Sequence, residues 1–442
     1  MISAQNTSLA AAFVCLSVSS IAFAETITIA TVNNGDMIRM QQLSDDFKKN
    51  NPGIELKWVT LEENVLRQRV TTDIATNGGQ FDVLTIGMYE APIWAERGWL
   101  APLDDLPAGY DIDDILPPIR EGLSHGGTMY AAPFYGESSF TMYRTDLFEK
   151  AGLEMPDKPT WDFIKNAAAK LHNKSNGVYG ICLRGKPGWG ENMAFLTAMA
   201  NSYGARWFDM DWEPQLDADA WKATLTDYVE LMQAAGPPDA SANGYNENLV
   251  LFQEGKCAIW IDATAAGQFV TNADSNVADN VGFALAPDKG LGKRANWLWA
   301  WALAIPADSK NEAAAKKFVA WATSKQYLEL VASKEGWSSV PPGTRASLYA
   351  NPEYQKVPFA KMTLASIQAT DPNHPTVEEV PYTGIQYVAI PEFQSIGTAV
   401  GQRFAEALAG NITVDEALAN AQWVTEKVIV RTRFLGKDNG AP

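Results

Sequence analysis

Tyr130-Ala-Ala-Pro-Phe-Tyr-Gly-Glu-Ser-Ser-Phe-Thr-Met-Tyr-Arg-Thr-Asp-Leu-Phe148 decides the fold. Residues 129–134 are apolar and contain Pro133, as expected of an interior strand leaving its sheet. Phe134-Tyr-Gly-Glu137 then puts a carboxylate into an apolar run. Phe140-Thr-Met-Tyr143 reads as a new strand, and Asp146 to Gly152 as a helical turn ended by glycine. One segment therefore finishes one body, places an acid in the gap and starts a second body.

The flanking chain supports two bodies. Upstream, Glu25–Val32 is β-rich, and Asn33-Asn-Gly-Asp36 is a turn. Met37, Met40, Leu43 and Phe47 recur at helical spacing. Ile54–Val59 reads as a strand, 62–76 as a helix and Phe81–Gly87 as a strand. This β-α-β-α-β order predicts a mostly parallel sheet with helices on both faces. Ligands of such sheets bind beyond the carboxyl ends of the strands, here the loops 33–36, 87–90 and 134–138. Downstream, Thr160 reads as an N-cap, Tyr179–Arg184 and Gly255–Asp262 as strands, and Trp297–Pro306 as a strand or bridge. Residues 192–203, 219–235 and 311–333 read as helices. Thr413-Val-Asp-Glu416 is a capping box for the last one.

The 442 residues suffice for two or three domains at roughly 150 residues each. With 52 acids against 35 bases the formal charge is −17, which disfavours nucleic acid and anionic lipid as partners. Leu9–Phe23 is an uncharged apolar run, and Ala22-Phe-Ala24 is a small-x-small cleavage site. Residues 1–24 thus read as an export signal, although no Lys or Arg precedes Leu9. Cys15 lies in that segment. Cys182 and Cys257 lie in apolar runs and read most simply as buried thiols. An oxidising compartment would also allow a disulfide.

Several chemistries lack their residues. His125, His172 and His374 are scattered and read as surface positions. There is no His/Cys cluster at metal spacing and no phosphate-binding glycine motif, so neither metal nor cofactor is expected. Two carboxylates about 5–10 Å apart could hydrolyse glycosides, so Glu137 with Glu191 or Asp262 keeps an enzyme reading open.

What is present suits hydroxyl-rich solutes. Charged side chains form strong hydrogen bonds to hydroxyls, and aromatic rings cover C–H faces. The candidate residues are Asn34, Asp36, Tyr89, Tyr135, Glu137, Arg184, Trp189, Glu191, Asp262, Trp299 and Trp337. Simpler roles compete for some of them. Asp36 could cap the helix at Met37, and Glu90 could be a first-turn acid. Arg184 and Asp262 could pair with each other. Trp299 and Trp301 share a strand face, so one could be core.

The chain resembles an extracellular solute-binding protein of the carbohydrate class, the periplasmic receptor of an ABC importer. The resemblance rests on Phe81-Asp-Val-Leu with Trp94–Leu103, the Tyr130-Ala-Ala-Pro-Phe crossover with Tyr143-Arg-Thr-Asp-Leu-Phe, Phe252–Trp260 and Trp301-Ala-Leu-Ala-Ile-Pro. Tyr179–Glu191 and Pro381-Tyr-Thr-Gly-Ile-Gln386 are similar to mannitol/sorbitol-type polyol receptors.

The resemblance implies an α/β, two-lobed periplasmic-binding-protein fold (type II) with parallel-rich sheets and a cleft that closes by hinge bending. It divides the chain into a first lobe, 25–136 and 301–350, and a second, 137–300 and 351–442. It implies a monomer that captures a polyol or monosaccharide and hands it to an ABC permease and its ATPase. An oligosaccharide receptor of the same fold is the alternative within the family.

Overall fold

A computed structural model describes residues 24–438, so all but the last residue of the expected export signal, and Cys15 with it, lie outside the described residues. Ten strands are described: β1 (Glu25–Val32), β2 (Ile54–Leu61), β3 (Val83–Ile86), β4 (Ser124–His125), β5 (Thr128–Met129), β6 (Ala131–Glu137), β7 (Ser139–Arg144), β8 (Ile259–Ala263), β9 (Val281–Leu285) and β10 (Trp299–Ala304). The first lobe is built on a five-stranded sheet of order β2-β1-β3-β10-β6. In it β2, β1 and β3 run parallel, while β10 is antiparallel to both β3 and β6. The second lobe is built on β8-β7-β9, antiparallel throughout. The sheets are thus mixed rather than parallel-rich. The β-α-β-α-β order is present at the N-terminal end. Later apolar runs carry no mark of direction in the sequence.

The decisive stretch is a strand pair split between two sheets. β6 ends at Glu137 in the first sheet, β7 begins at Ser139 in the second, and Ser138 alone separates them. Gly136 is needed here for close approach. Its N–H donates to Pro342 O at 2.9 Å, and a Cβ would collide with the Gly343 carbonyl. A second link between the lobes leaves β9 and enters β10.

Antiparallel register then fixes the cleft floor. Glu137 lies opposite Trp299 and Tyr135 opposite Trp301. Opposed residues, and residues two apart, share a sheet face. All four side chains therefore project from one face at the edge where the sheets meet.

The helices follow local signals, with two departures. Thr160 Oγ1 accepts from Phe163 N at 3.2 Å as an N-cap, and the Thr413/Glu416 box forms in both directions. The long helix expected over 311–333 is instead two, Glu312–Ala322 and Lys325–Glu335. Ser324 turns extended and its side chain accepts from Tyr327 N at 3.0 Å, starting a new helix. The helix expected from Met37 to Phe47 likewise divides into Gly35–Gln42 and Asp45–Asn50. Phe318 packs edge to face against Phe47 and against Trp58 of β2. No helix among the described residues is long and apolar enough to cross a membrane.

Residues 179–184, expected as a strand, meet β8 and the turn before it only at isolated bridges, Tyr179 to Cys257 and Cys182 to Trp260. Cys182 and Cys257 are joined by a disulfide, so the reading of two free thiols is corrected. Both had looked like ordinary buried apolar residues, and they are fully buried. What the sequence does not contain is the lateral pairing that brings their Cα atoms to 5.9 Å.

Candidate functional site

A cavity lies between the lobes, above the β6–β10 edge. The centre of a water molecule can reach about 50 Å³ of it. Asn34, Tyr135, Glu137, Arg184, Trp189, Glu191 and Trp299 all line it, drawn from four separate stretches of chain. Trp301, which the sequence left between core and site, lines it as well.

Glu137 is the most exceptional of these. It is 6% exposed, and its carboxyl has no hydrogen-bond partner among the described residues. Burial pushes it up to about 8, against the pull of Arg184. Its carboxyl opens into the cavity, where it can accept from a hydroxyl. Glu191 is also raised by burial, and then by the Glu63 charge. Its Oε2 accepts from Tyr245 N at 3.3 Å and lies 3.6 Å from Arg184 Nη1.

Arg184 is held from behind. Its Nη2 and Nε reach Asp262 at 2.6 and 3.0 Å, and Nη1 donates to Gly190 O at 3.0 Å. Burial works against its charge, but Asp262 more than offsets this and keeps it firmly protonated. Asp262 is fully buried and also accepts from Trp260 Nε1 and Ala263 N. The pairing of these two residues, one of the two readings from sequence, is the one found. Asp262 stands behind the lining, and Arg184 presents the charge to the cavity.

Three further candidates lie away from the lining. Asp36 neither faces the cavity nor caps its helix. The cap is Asn34, whose Oδ1 accepts from Met37 N at 3.2 Å. Asp36 instead joins the lobes: Oδ1 meets Arg39 Nη1 at 2.7 Å, and Oδ2 accepts from Gln268 Nε2 at 2.6 Å. Burial raises it to about 6 despite Arg39. Tyr89 packs behind Trp189 with ring centres 4.8 Å apart, and its hydroxyl donates to Ile390 O at 2.9 Å. Trp337 is half-buried in a short 3-10 turn, 337–339, outside the lining.

Sequence reasoning missed Glu62, Glu63, Arg67, Tyr245, Trp297 and Gln386, all in the lining. Arg67 lies on the helix Glu63–Ala75 and carries ion pairs to Glu63 (2.9 Å) and Glu90 (2.8 Å). A Glu four residues before an Arg reads as an exposed helix pair, which hides its role. Gln386 holds the backbone between two tryptophans, donating to Leu298 O at 2.8 Å.

The lobes meet around the cavity. Lys186 pairs with Glu62 at 2.7 Å, Asn64 donates to Pro187 O at 3.3 Å, and Asn246 reaches Asn33 at 3.5 Å. Side chains at Gly188 and Gly190 would strike Asn64 and Glu63, so the Gly-Trp-Gly loop is what allows this approach. Among the described residues no group of three or more His, Cys, Asp or Glu could hold a metal ion.

Residues 34–329 match the family model described as bacterial extracellular solute-binding protein. The chain belongs to that family. The solute-binding proteins similar to it include the mannitol-binding protein of Pseudomonas aeruginosa, 58% identical over 412 residues, covering 93% of this chain and 94% of that one. An ABC-transporter solute-binding protein of Agrobacterium vitis S4, solved with bound D-mannitol, is 69% identical with a TM-score of 0.92. The match covers 92% of this chain and 99% of that one. Another, from Agrobacterium radiobacter K84 in complex with ribitol, is 26% identical with a TM-score of 0.80, over 91% and 98% of the two chains. The fold is the two-lobed fold of this family, and its members bind solutes for ABC transporters. The chain is therefore a solute-binding protein and not an enzyme. The glycosidase reading of its carboxylates is set aside.

Proposed function

We propose that the protein captures a sugar alcohol of mannitol or sorbitol type in the interlobe cavity and delivers it to an ABC permease. It does so as a monomer, exported to the periplasm, with an ATPase driving the permease. The observation that carries this reading is the unpartnered, buried Glu137 beside Arg184, Glu191 and four tryptophans. That set offers acceptors, donors and ring surface to a chain of hydroxyls. Two relatives, a mannitol-binding protein and a structure with bound D-mannitol, support the choice of solute. The small space favours a solute of single-sugar size over an oligosaccharide.

Calorimetric titration with D-mannitol and D-sorbitol tests the reading. Absence of heat with every polyol and monosaccharide would sink it. At pH 9, where Glu137 is ionised, Glu137→Gln is expected to weaken polyol binding by about 10- to 100-fold, since a charge-assisted hydrogen bond is lost. The thermal midpoint of the ligand-free variant should not fall. Equal affinity in the variant would reduce Glu137 to a structural acid.

The raised acids also set a pH dependence. An acid raised on folding binds a proton that the unfolded chain has already released. Ligand-free stability is therefore greatest below the unfolded value and falls as pH climbs toward about 8. The thermal midpoint of the ligand-free protein should drop between pH 5 and pH 8, and Glu137→Gln should drop less. Parallel curves for the two proteins would refute a contribution from Glu137.

A further inference from the structure

The lining is rich in aromatic rings, and each of its tryptophans already carries a guanidinium on one face. The Arg67 guanidinium carbon lies over Trp189 at 4.1 Å, Trp301 at 4.6 Å and Trp299 at 5.0 Å from the ring centres. The Arg184 guanidinium lies over Trp297 and Tyr245, each at 5.4 Å. Every tryptophan of the lining thus carries a guanidinium of the protein itself, as does Tyr245. Arg67 cannot swing aside cheaply. Its side chain is 7% exposed and is fixed by Glu63 and by Glu90, whose side chain is 2% exposed. Glu90 in turn accepts from Gly87 N at 3.0 Å. The plate is therefore clamped from below and pressed on three indoles from one side.

A pyranose presents a flat C–H face and binds by laying it on an exposed aromatic ring. An open-chain alditol has no such face. It offers a hydroxyl on each carbon and is satisfied by donors and acceptors arranged along a groove. Stacking a ring sugar on the face that a guanidinium holds would mean displacing it from a cation–π contact. Meanwhile Glu137, to whose carboxyl no side chain or backbone group among the described residues donates, and Glu191 line the cavity as acceptors for hydroxyls.

The geometry points to Arg67 as the selectivity residue of this site: by capping Trp189, Trp299 and Trp301 it excludes ring sugars and reserves the cavity for acyclic polyols. This rests on the polyol reading above and assigns its discrimination to one side chain.

The test is calorimetric titration of the mature wild-type protein, Arg67→Lys and Arg67→Ala with D-mannitol and with D-mannose. Arg67→Lys keeps a cation for Glu90 and removes the plate. Arg67→Ala removes both, and a thermal scan shows whether it folds. Wild type should prefer D-mannitol by about 100-fold. The preference should shrink about tenfold in Arg67→Lys, with a gain or smaller loss for D-mannose. An unchanged ratio in Arg67→Lys overturns the assignment. Equal binding of D-mannitol and D-mannose by wild type overturns it too, while leaving the polyol reading intact. Binding of neither removes the polyol reading, and this inference with it.

Discussion

Leucine in place of Arg184 is expected to cost about 3–5 kcal/mol of stability and to abolish solute binding. The cause is the carboxylate left behind. Asp262 is fully buried, and its hydrogen bonds from Trp260 and Ala263 cannot replace a bidentate guanidinium. Urea denaturation of the ligand-free protein measures the loss. The double variant Arg184→Leu/Asp262→Leu separates charge from packing. With both ions gone it should recover most of the stability, because a buried pair contributes little net energy against an apolar replacement. It should still fail to bind, since Arg184 faces the cavity. A double variant as unstable as the single one would show that shape, not charge, is what Arg184 supplies.

Removing the disulfide is the second large effect. Cys182 and Cys257 are 75 residues apart, and closing such a loop limits the unfolded chain. Cys182→Ala/Cys257→Ala is expected to lower stability by about 4 kcal/mol on the chain-entropy account. The link also ties the start of the Arg184–Glu191 loop to the strand bearing Asp262. The double alanine variant should therefore lose solute affinity as well as stability. Calorimetry below its unfolding transition would show this. Wild-type affinity in a destabilised variant would confine the disulfide to a purely stabilising role.

The readable parts of this fold were those governed by local spacing. The β-rich runs of β1 and β2, the Thr160 and Thr413 caps and the passage of 130–148 from one sheet to the next all follow from neighbours in sequence. The shared face of Trp299 and Trp301 was readable for the same reason. Strand direction in the second sheet was not, because an apolar run such as Ile259–Ala263 packs equally well either way. The break at Ser324 was missed because helical spacing continues across it, while only its cap marks the new start.

The site divides along the same line. Glu137 ends β6, and Arg184 and Glu191 flank a glycine-rich loop that carries Trp189, so their positions announced a gap. Arg67 looks like half of an exposed helix pair until a loop 122 residues away, counted from Arg67 to Trp189, closes over it. Asp36 shows the converse. A short acid in a turn looks like a ligand for solute, and the arrival of Gln268 from the other lobe converts it into a clasp.

The rim of the cavity has a kinetic consequence. Lys186 with Glu62, Asn246 with Asn33, and Gln268 with Asp36 and Arg39 all span the lobes without belonging to the floor. If closure of the lobes traps the solute, its release requires these contacts to part. Its residence time is then the lifetime of the shut state, governed by side chains such as Gln268 that lie outside the cavity lining. Two solutes of unequal affinity could leave at one common rate, differing only in how often they are caught.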